Sequence, residues 1–513
     1  MENKEKKLLL QITNLKQYFP VGKGRYVRAN DGITLDIYEG ETLGLVGESG
    51  CGKSTLGRSI LQLYKQTDGR TMYFGRSIDE MAPQYAYETF KSLTKRRSDM
   101  KTKQDKYAAF RAEYDKLEGE ARYQKHDEMV RLRKEANDAM LDVTTLIGGL
   151  FTHPDLSAVE QVYMEQYKIS KQLRDAVDKR ADLNLDVEDL TFALEKANKE
   201  QKPADKLVTK LAAAQAKLDG VDAEIKSIKD RLAEGGKKIE ALREECKNEE
   251  RFEEFEAHHT EGIDLARLRY SEMRKLRSDL QLIFQDPYSS LNPRMTVGQI
   301  IGEGMIAHKF FRKNDERMQD GVIKVMEECG LAPYFLHRYP HQFSGGQRQR
   351  IGIARSLALR PKFVVCDEAV SALDVSIQAQ IINLLQDLKE KANLTYLFIT
   401  HDLSVVKYIS DRIGVMYLGN MVEIAPSDDI FAHPLHPYTE ALLNAIPTTD
   451  EDANKNPEIL EGDIPSPVNP PKGCKFHTRC KYCTEVCTQV KPELVEARPN
   501  HFVACHHILE QGE

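Results

Sequence analysis

The stretch that decides the fold is Gly47-Glu48-Ser49-Gly50-Cys51-Gly52-Lys53-Ser54-Thr55. It matches the pattern G-x-x-x-x-G-K-[ST] without departure; the apolar run 42–46 before it predicts a buried strand, and 55–64 after it predicts a helix. Glycines let successive backbone N–H groups curl around phosphate oxygens, and a helix N-terminus adds a favourable dipole. We therefore expect Lys53 to reach the β- and γ-phosphates of a nucleoside triphosphate and Ser54 to offer its hydroxyl to Mg²⁺. A glycine-rich turn that binds nothing is the alternative, and it explains the complete motif poorly.

A second motif combines serine and glycine ahead of a predicted helix at 351–358. Its residues are Phe343, Ser344, Gly345, Gly346 and Gln347. It resembles the signature motif of ABC ATPases, with phenylalanine where leucine is commoner. A serine and glycines at a helix N-terminus suit a γ-phosphate that a second subunit presents. The resemblance therefore implies that this motif serves a partner's ATP.

Two adjacent acids, Asp367 and Glu368, follow the apolar run 363–366. Such a run predicts a buried strand that delivers carboxylates at its carboxyl end. We expect Asp367 to hold Mg²⁺, directly or through water, and Glu368 to polarise the attacking water. Paired acids that only cap a strand are the alternative, which the two motifs above disfavour.

Three further residues fall in the order in which ABC ATPases carry their motifs. Gln285 resembles the Q-loop glutamine, Asp374 resembles the D-loop aspartate, and His401 resembles the switch histidine. The resemblance implies that Gln285 senses Mg²⁺ and water, that Asp374 lies against the other subunit, and that His401 contacts the γ-phosphate. Ala369 departs from the family, which commonly has proline there. Six motifs in the family's order thus predict an α/β P-loop ATPase domain that hydrolyses ATP as one half of a pair.

An aromatic residue that stacks on adenine usually precedes the loop in this family. Phe19 is the candidate, and Tyr18 and Tyr26 are alternatives. Any of the three rings could instead belong to the core.

Three segments narrow the resemblance to the ATPase subunits of oligopeptide and dipeptide importers, namely 284–295, 371–380 and 436–439. Such importers pair two different ATPase subunits beneath two permease subunits, with an external peptide-binding protein. The resemblance therefore implies a paralogous second ATPase, permeases that dock near 285–296, and a position at the cytoplasmic face of the membrane. Another small solute, such as nickel, is the alternative cargo.

Five of the nine cysteines lie between Cys474 and Cys505. Clustered thiols in a reducing compartment suit a soft metal centre. In the importer family the recurring positions match four of them, and some members hold a [4Fe–4S] cluster there. The four are Cys474, Cys480, Cys487 and Cys505. Zinc is the alternative metal, a loop of free thiols is the alternative without metal, and Cys483 is an extra thiol.

A long charged segment, 82–265, separates the phosphate-binding motif from Gln285. Apolar residues keep a heptad over 169–197 and again over 204–242, and Pro203 breaks the helix between them. This pattern predicts an inserted antiparallel coiled coil, with a single solvated helix as the alternative. DNA-handling ATPases also carry coiled coils, but they open the domain after the Q-loop, and the one cysteine of this segment, Cys246, cannot form a zinc hook.

Composition sets the remaining limits. With 513 residues, 41% hydrophobic and 30% charged, the chain is expected to form several globular units, and its net charge of -7 gives no reason to expect nucleic acid as a partner. The start has an apolar run of only three residues, which predicts no signal peptide, and no run approaches the roughly 18 apolar residues of a membrane span. The predicted fold is an ABC-type α/β domain (1–81 and 266–430), interrupted by the helical insertion (82–265) and followed by a small cysteine-rich extension (431–513).

Overall fold

A computed structural model describes residues 6–22, 25–117, 119–313, 315–445, 460 and 462–509. The chain divides into two compact units. The first contains the described chain up to Gly75, residues 264–266 and the chain from Met273 onward; the second contains 76–263 and 267–272. The chain thus leaves the first unit after Gly75 and returns to it near residue 264.

The strands and helices occur in the following order along the described chain. The strands are β1 (Leu8–Pro20), β2 (Tyr26–Tyr38), β3 (Thr42–Val46), β4 (Asp68–Tyr73), β5 (Ile263–Asp264), β6 (Leu280–Ile283), β7 (Phe363–Asp367), β8 (Thr395–Ile399), β9 (Arg412–Tyr417), β10 (Asn420–Pro426), β11 (Val495–Arg498) and β12 (His501–Val503). The helices are α1 (Lys53–Ile60), α2 (Ile78–Met81), α3 (Gln84–Phe90), α4 (Leu93–Tyr114), α5 (Gly119–Ile147), α6 (Leu156–Lys199), α7 (Asp205–Cys246), α8 (Phe252–Glu256), α9 (Tyr270–Leu276), α10 (Val297–Ala307), α11 (Glu316–Glu328), α12 (Gly345–Leu357), α13 (Val375–Ala392), α14 (Leu403–Ile409), α15 (Ser427–Ala432), α16 (Pro437–Asn444) and α17 (Glu485–Gln489).

The large sheet of the first unit has the order β11-β12-β10-β9-β3-β8-β7-β6. Its strands β9, β3, β8, β7 and β6 are parallel, and β10, β12 and β11 extend it with antiparallel pairs. Every residue of β3, β7 and β8 is buried, which explains why these strands are continuous apolar runs in the sequence. The predicted strands at 42–46 and 395–399 are confirmed at those bounds.

A smaller antiparallel sheet has the order β2-β1-β4-β5. Strand β1 pairs with β2 on one side and with β4 on the other, and bulges interrupt both ladders. This sheet carries Phe19 at the end of β1. The first unit is therefore an α/β domain with a mainly parallel sheet and a separate antiparallel sheet.

Helices α2 to α8 form the second unit. Its two longest helices, α6 and α7, run antiparallel, because Gln172 accepts a hydrogen bond from Arg231 while Arg180 pairs with Asp222. Apolar residues of both helices form a cluster: Leu173, Ala176, Ile228 and Leu232. Pro203 lies between the two helices, at the predicted break. Arg180, which the heptad pattern places on the apolar seam, instead makes an ion pair whose two side chains are about half exposed.

In the described part of the chain, no helix is both long enough and apolar enough to cross a bilayer.

Candidate active site

The predicted catalytic residues meet at one edge of the large sheet. The phosphate-binding loop follows β3, Asp367 ends β7, and Gln285 and His401 come two residues after β6 and β8. These four strands are parallel neighbours, so their carboxyl ends meet at the same edge. Ligands of open α/β sheets bind at this edge. The topology therefore assembles residues that are far apart in the sequence.

The loop between β3 and α1 requires glycine at two points. Gly47 and Gly52 have φ angles of 144° and 103°. A Cβ at Gly47 would lie 2.2 Å from the carbonyl oxygen of Met416, and one at Gly52 would lie 2.1 Å from that of Ala29. No atom of the other described residues lies within 4 Å of a Cβ built at Gly50, beyond its immediate neighbours in the chain, so the middle of the loop is open. The loop is packed at its two ends and accessible between them, as a cradle for phosphate groups must be.

Lys53 is a buried cation that has no anionic partner among the described residues. It is the first residue of α1, and it is only 5% exposed. Its ammonium donates to the carbonyl oxygens of Gly47 (2.7 Å) and Glu48 (3.1 Å). No carboxylate of the described residues lies within ion-pair distance of it. Because a buried charge is costly unless it is paired, this site fits a ligand that brings negative charge, such as a polyphosphate.

Asp367 is a fully buried carboxylate that is only half satisfied. Its Oδ2 accepts from Arg58 Nη2 on α1 at 3.1 Å. Its Oδ1 has no hydrogen-bond partner among the residues that the structure describes. A buried acceptor of this kind calls for an ion or a water, and carboxylate oxygens are ligands that Mg²⁺ prefers. The unsatisfied Asp367 oxygen therefore fits a bound Mg²⁺ at the carboxyl end of β7.

Glu368 lies between the glutamine and the histidine that the sequence singles out. Gln285 Nε2 donates to Glu368 Oε2 at 2.5 Å, and His401 Nδ1 lies 3.6 Å from Glu368 Oε1. The backbone of Glu368 has a φ of 47°, which is uncommon for a residue other than glycine. Its N–H donates to Ile399 and its carbonyl accepts from Ser371, so the neighbouring elements hold this conformation. Backbone strain that neighbours maintain is a feature of functional sites.

The signature-like motif and the D-loop motif each begin a helix. Ser344 caps α12 through a capping box with Gln347, and Asp374 caps α13 by accepting from the backbone N–H of Ile377. Ser344, Gly345 and Asp374 are exposed. Gly346 is buried, and a Cβ there would lie 2.5 Å from Ile377. No hydrogen bond among the described residues joins either helix start to the phosphate-binding loop, so both remain available at the surface.

The three candidate adenine-stacking rings differ in their contacts with the rest of the protein and in their exposure. Tyr18 donates its hydroxyl to Asp31, and burial and that carboxylate raise the pKa of the phenol. Phe19 packs edge-to-face against Tyr64, with centroids 5.3 Å apart. Tyr26 is 48% exposed. Stacking on adenine stays a prediction for Phe19.

The cysteine-rich extension gathers its thiols around one cavity. The cavity is lined by Cys474, Cys480, Cys487 and Cys505, together with His436, Phe476, His477 and His506. Burial raises the pKa of Cys474 to about 11 and that of Cys505 to about 12. Cys483 is exposed. Within the described ranges, no three cysteine, histidine or acidic side chains are grouped so as to hold a single metal ion.

Sequence reasoning missed three residues that contact the site. Arg58 holds Asp367, Tyr438 accepts a hydrogen bond from the backbone N–H of Glu48, and Arg479 pairs with the Glu48 carboxylate. Tyr438 stands in the importer-like segment 436–439, and that segment was the one available signal. Nothing in the sequence singles out Arg58 or Arg479.

Comparisons with known proteins show which family this chain resembles. The family described as "ABC transporter" matches residues 30–217 and 252–371, and "Oligopeptide/dipeptide transporter, C-terminal region" matches 422–487. A putative peptide import ATP-binding protein of Brucella ovis is 55% identical over 245 residues, which cover 48% of this chain and 77% of that protein. The oligopeptide transport ATP-binding protein OppF of Salmonella typhimurium is 53% identical over 247 residues, covering 48% and 73%. The putative oligopeptide transport ATP-binding protein YkfD of Bacillus subtilis is 34% identical over 500 residues, covering 97% and 95%.

Proposed function

Because this chain belongs to the ABC transporter family, among its oligopeptide transport ATP-binding proteins, we propose that it powers peptide import by hydrolysing ATP. One observation carries the nucleotide part: the buried ammonium of Lys53 has no carboxylate partner in the part of the chain that the structure describes, and the loop around it is open at Gly50. The peptide part is supported by the names of the relatives and by the C-terminal family match.

The residue roles that we propose follow from the contacts. Glu368 accepts the proton of the attacking water, and Gln285 and His401, which touch its two oxygens, hold it in position. Lys53 binds the phosphates, and Ser54, Gln285 and Asp367 would hold Mg²⁺, which neutralises charge on the phosphates when bound. The other proposed phosphate-binding residues are Gly47, Glu48, Ser49, Gly50, Cys51, Gly52 and Thr55, and Phe19 stacks on adenine.

We propose that the exposed helix starts serve a second subunit. Ser344, Gly345, Gly346 and Gln347 would contact the partner's ATP, and Asp374 would lie against the partner. An exposed N-terminus of a helix favours an anionic ligand, which here belongs to the other half of the pair. The partner ATPase is proposed to be a paralogue, so the two ATP sites would differ.

We also propose that two permease subunits recruit this chain to the cytoplasmic face of the membrane, and that an extracellular peptide-binding protein delivers the cargo. Tyr288, just after Gln285, is 68% exposed, and Arg348 of the signature-containing helix lies over its ring at 4.7 Å. A permease helix that docks at Tyr288 would contact a segment joined directly to Gln285. Movement of the permease would therefore be coupled to the Glu368 carboxylate.

The test of peptide import is an uptake assay in cells that lack this chain. We expect the uptake of labelled tripeptides to pentapeptides to be lost, and to be restored by the wild-type chain but not by the Glu368→Gln variant. Uptake of labelled nickel in the same cells is the control and should be unchanged. Normal peptide uptake together with lost nickel uptake would reverse the cargo assignment.

We further propose that residues 82–265 form a coiled-coil insertion in the ATPase domain, with 1–81 and 266–430 as its two parts and 431–513 as the extension. The antiparallel helices α6 and α7 and their shared apolar cluster support this proposal. So does the Bacillus subtilis relative, which aligns along nearly the whole chain, whereas the more similar relatives align with about half of it.

For the extension we propose a [4Fe–4S] cluster held by Cys474, Cys480, Cys487 and Cys505. What supports this proposal is that the four thiols line one cavity. Four cysteine thiolates are the ligand set of a [4Fe–4S] cluster, and zinc stays the alternative metal.

The cluster is tested by elemental analysis of the chain purified without oxygen. We expect about four iron atoms per chain, as a [4Fe–4S] cluster requires, and loss of most of the iron in Cys480→Ser. Cys483→Ser, at the exposed thiol, is the matched control and should keep its iron. Zinc without iron would establish the alternative metal, and neither metal would mean free thiols.

A further inference from the structure

The cysteine-rich extension contacts the phosphate-binding loop at Glu48. Arg479 donates to both oxygens of the Glu48 carboxylate, at 2.8 and 3.2 Å. The arginine side chain is 5% exposed and that of Glu48 is 24% exposed. A bidentate arginine–carboxylate pair fixes orientation as well as distance, and partial burial reduces its screening by water. The side chain of Glu48 is therefore held by a residue that lies between Cys474 and Cys480.

The backbone of the same residue is held by a second contact. The N–H of Glu48 donates to the hydroxyl of Tyr438 at 2.9 Å. Tyr438 is fully buried, and its ring packs against Tyr417 and Phe476, with centroids 4.8 and 5.3 Å away. A phenol packed in this way cannot follow the loop if the loop moves. Both the side chain and the backbone of Glu48 are thus fixed from the C-terminal part of the chain.

The extension is itself firmly attached, so it can act as a support. Lys475 donates to the carbonyl oxygen of Leu418 at 2.9 Å and pairs with Asp31 at 3.0 Å. The backbone N–H of Cys474 donates to Cys487 at 2.8 Å, which ties the two ends of the cysteine segment together. The turn that carries Arg479 is therefore anchored to the domain on one side and to its own segment on the other.

Glu48 connects this support to the cation of the loop. Its carbonyl oxygen accepts from the Lys53 ammonium at 3.1 Å, while its N–H and carboxylate face Tyr438 and Arg479. We propose that Arg479 and Tyr438 are positioning residues that set the conformation of the phosphate-binding loop, so that the affinity for ATP depends on the cysteine-rich extension. This proposal rests on the nucleotide-binding role proposed above for the loop.

The test uses the purified full chain and four variants. Arg479→Gln removes the bidentate pair, Tyr438→Phe removes only the acceptor for the Glu48 N–H, and Arg479→Lys keeps the charge without the fork. We expect the Kd and KM for ATP to rise about tenfold in Arg479→Gln, with kcat at saturating ATP within about twofold of wild type. Tyr438→Phe should raise KM in the same direction, and Arg479→Lys should recover part of the loss. Arg498→Gln, an exposed arginine of the same extension, is the matched control and should leave KM unchanged.

A double-mutant cycle separates positioning from a general loss of stability. In a Glu48→Gln background, Arg479→Gln should add little to the rise in KM, because the two residues act through one contact. An unchanged KM in both Arg479→Gln and Tyr438→Phe would overturn the proposal, as would a full additive effect in the cycle. A lower melting temperature and a lower kcat without a change in KM would show that these residues only stabilise the fold, and would also overturn the proposal. Failure of the wild-type chain to bind ATP would instead contradict the role proposed for the loop.

Discussion

Replacing Glu368 with glutamine is expected to lower the rate of ATP hydrolysis about a thousandfold while ATP binding persists. The substitution removes a carboxylate that contacts both Gln285 and His401. Glutamine keeps the size of the side chain and can still hydrogen-bond, but it cannot accept a proton from water. The phosphates are proposed to bind at the loop after β3, whereas Glu368 follows β7. The affinity for ATP should therefore change little.

The measurement pairs phosphate release with binding of a fluorescent ATP analogue, on the same preparation. Glu390→Gln, an exposed glutamate on α13, is the matched control and should hydrolyse ATP at the wild-type rate. Hydrolysis by Glu368→Gln at more than about a tenth of the wild-type rate would contradict the role of general base. Loss of binding in Glu368→Gln would instead mean that the carboxylate supports the nucleotide pocket.

The ATP site could be predicted from the sequence to the extent that local patterns and one topological rule determine it. The strands β3, β7 and β8 are apolar runs in the sequence. In a parallel sheet the polar residues that follow such strands must meet at one edge. This is enough to bring Asp367, Glu368 and His401 near the loop without knowledge of any contact. The sequence predicts a helix at 55–64, whereas α1 runs from Lys53 to Ile60, and Gln62 beyond it has a left-handed φ of 52°.

The contacts that support the site could not be predicted, because they join distant parts of the chain. Arg58 and Asp367 are 309 residues apart, and Glu48 and Arg479 are 431 residues apart. No periodicity or motif links positions at such separations, and an arginine on a helix or beside a cysteine is unremarkable in a single sequence. Only the folded chain shows that Glu48, formally a variable position of the loop motif, has partners at its N–H and at its carboxylate.

In the second unit, too, the sequence predicts some contacts and misses others. The heptad pattern begins at Ile169, but α6 begins at Leu156, where Asp155 caps it. Tyr163 and Tyr167, which precede the heptad stretch, are buried with their rings against Phe90 and Tyr87 of α3. A pattern tuned to two helices therefore misses a stretch that packs against a third. A heptad pattern identifies the part of a helix that packs along one partner helix. It does not identify the part that packs against a different helix.

Replacing Lys53 with methionine is expected to weaken ATP binding about a hundredfold. Methionine keeps most of the length and volume of the side chain but removes the charge. A hydrogen bond to a charged group contributes about 1.5–3 kcal/mol, so loss of two such bonds to phosphate would cost about 3 kcal/mol or more, which is about two powers of ten in Kd. Because no carboxylate of the described residues pairs with Lys53, the substitution leaves no buried anion uncompensated, and the fold should persist.

The Lys53→Met substitution is expected to change ATP binding without changing the stability of the fold. The melting temperature without nucleotide should stay within a few degrees of wild type, whereas the rise that ATP causes in the wild-type chain should vanish. Lys65→Met, at an exposed lysine beyond α1, should keep both the stability and the ATP-induced rise. A Lys53→Met chain that melts normally and still binds ATP with wild-type affinity would show that the buried ammonium is structural, and would remove the observation on which the nucleotide site depends. A chain that loses ATP binding but melts normally would show that this cation is kept unpaired for the nucleotide.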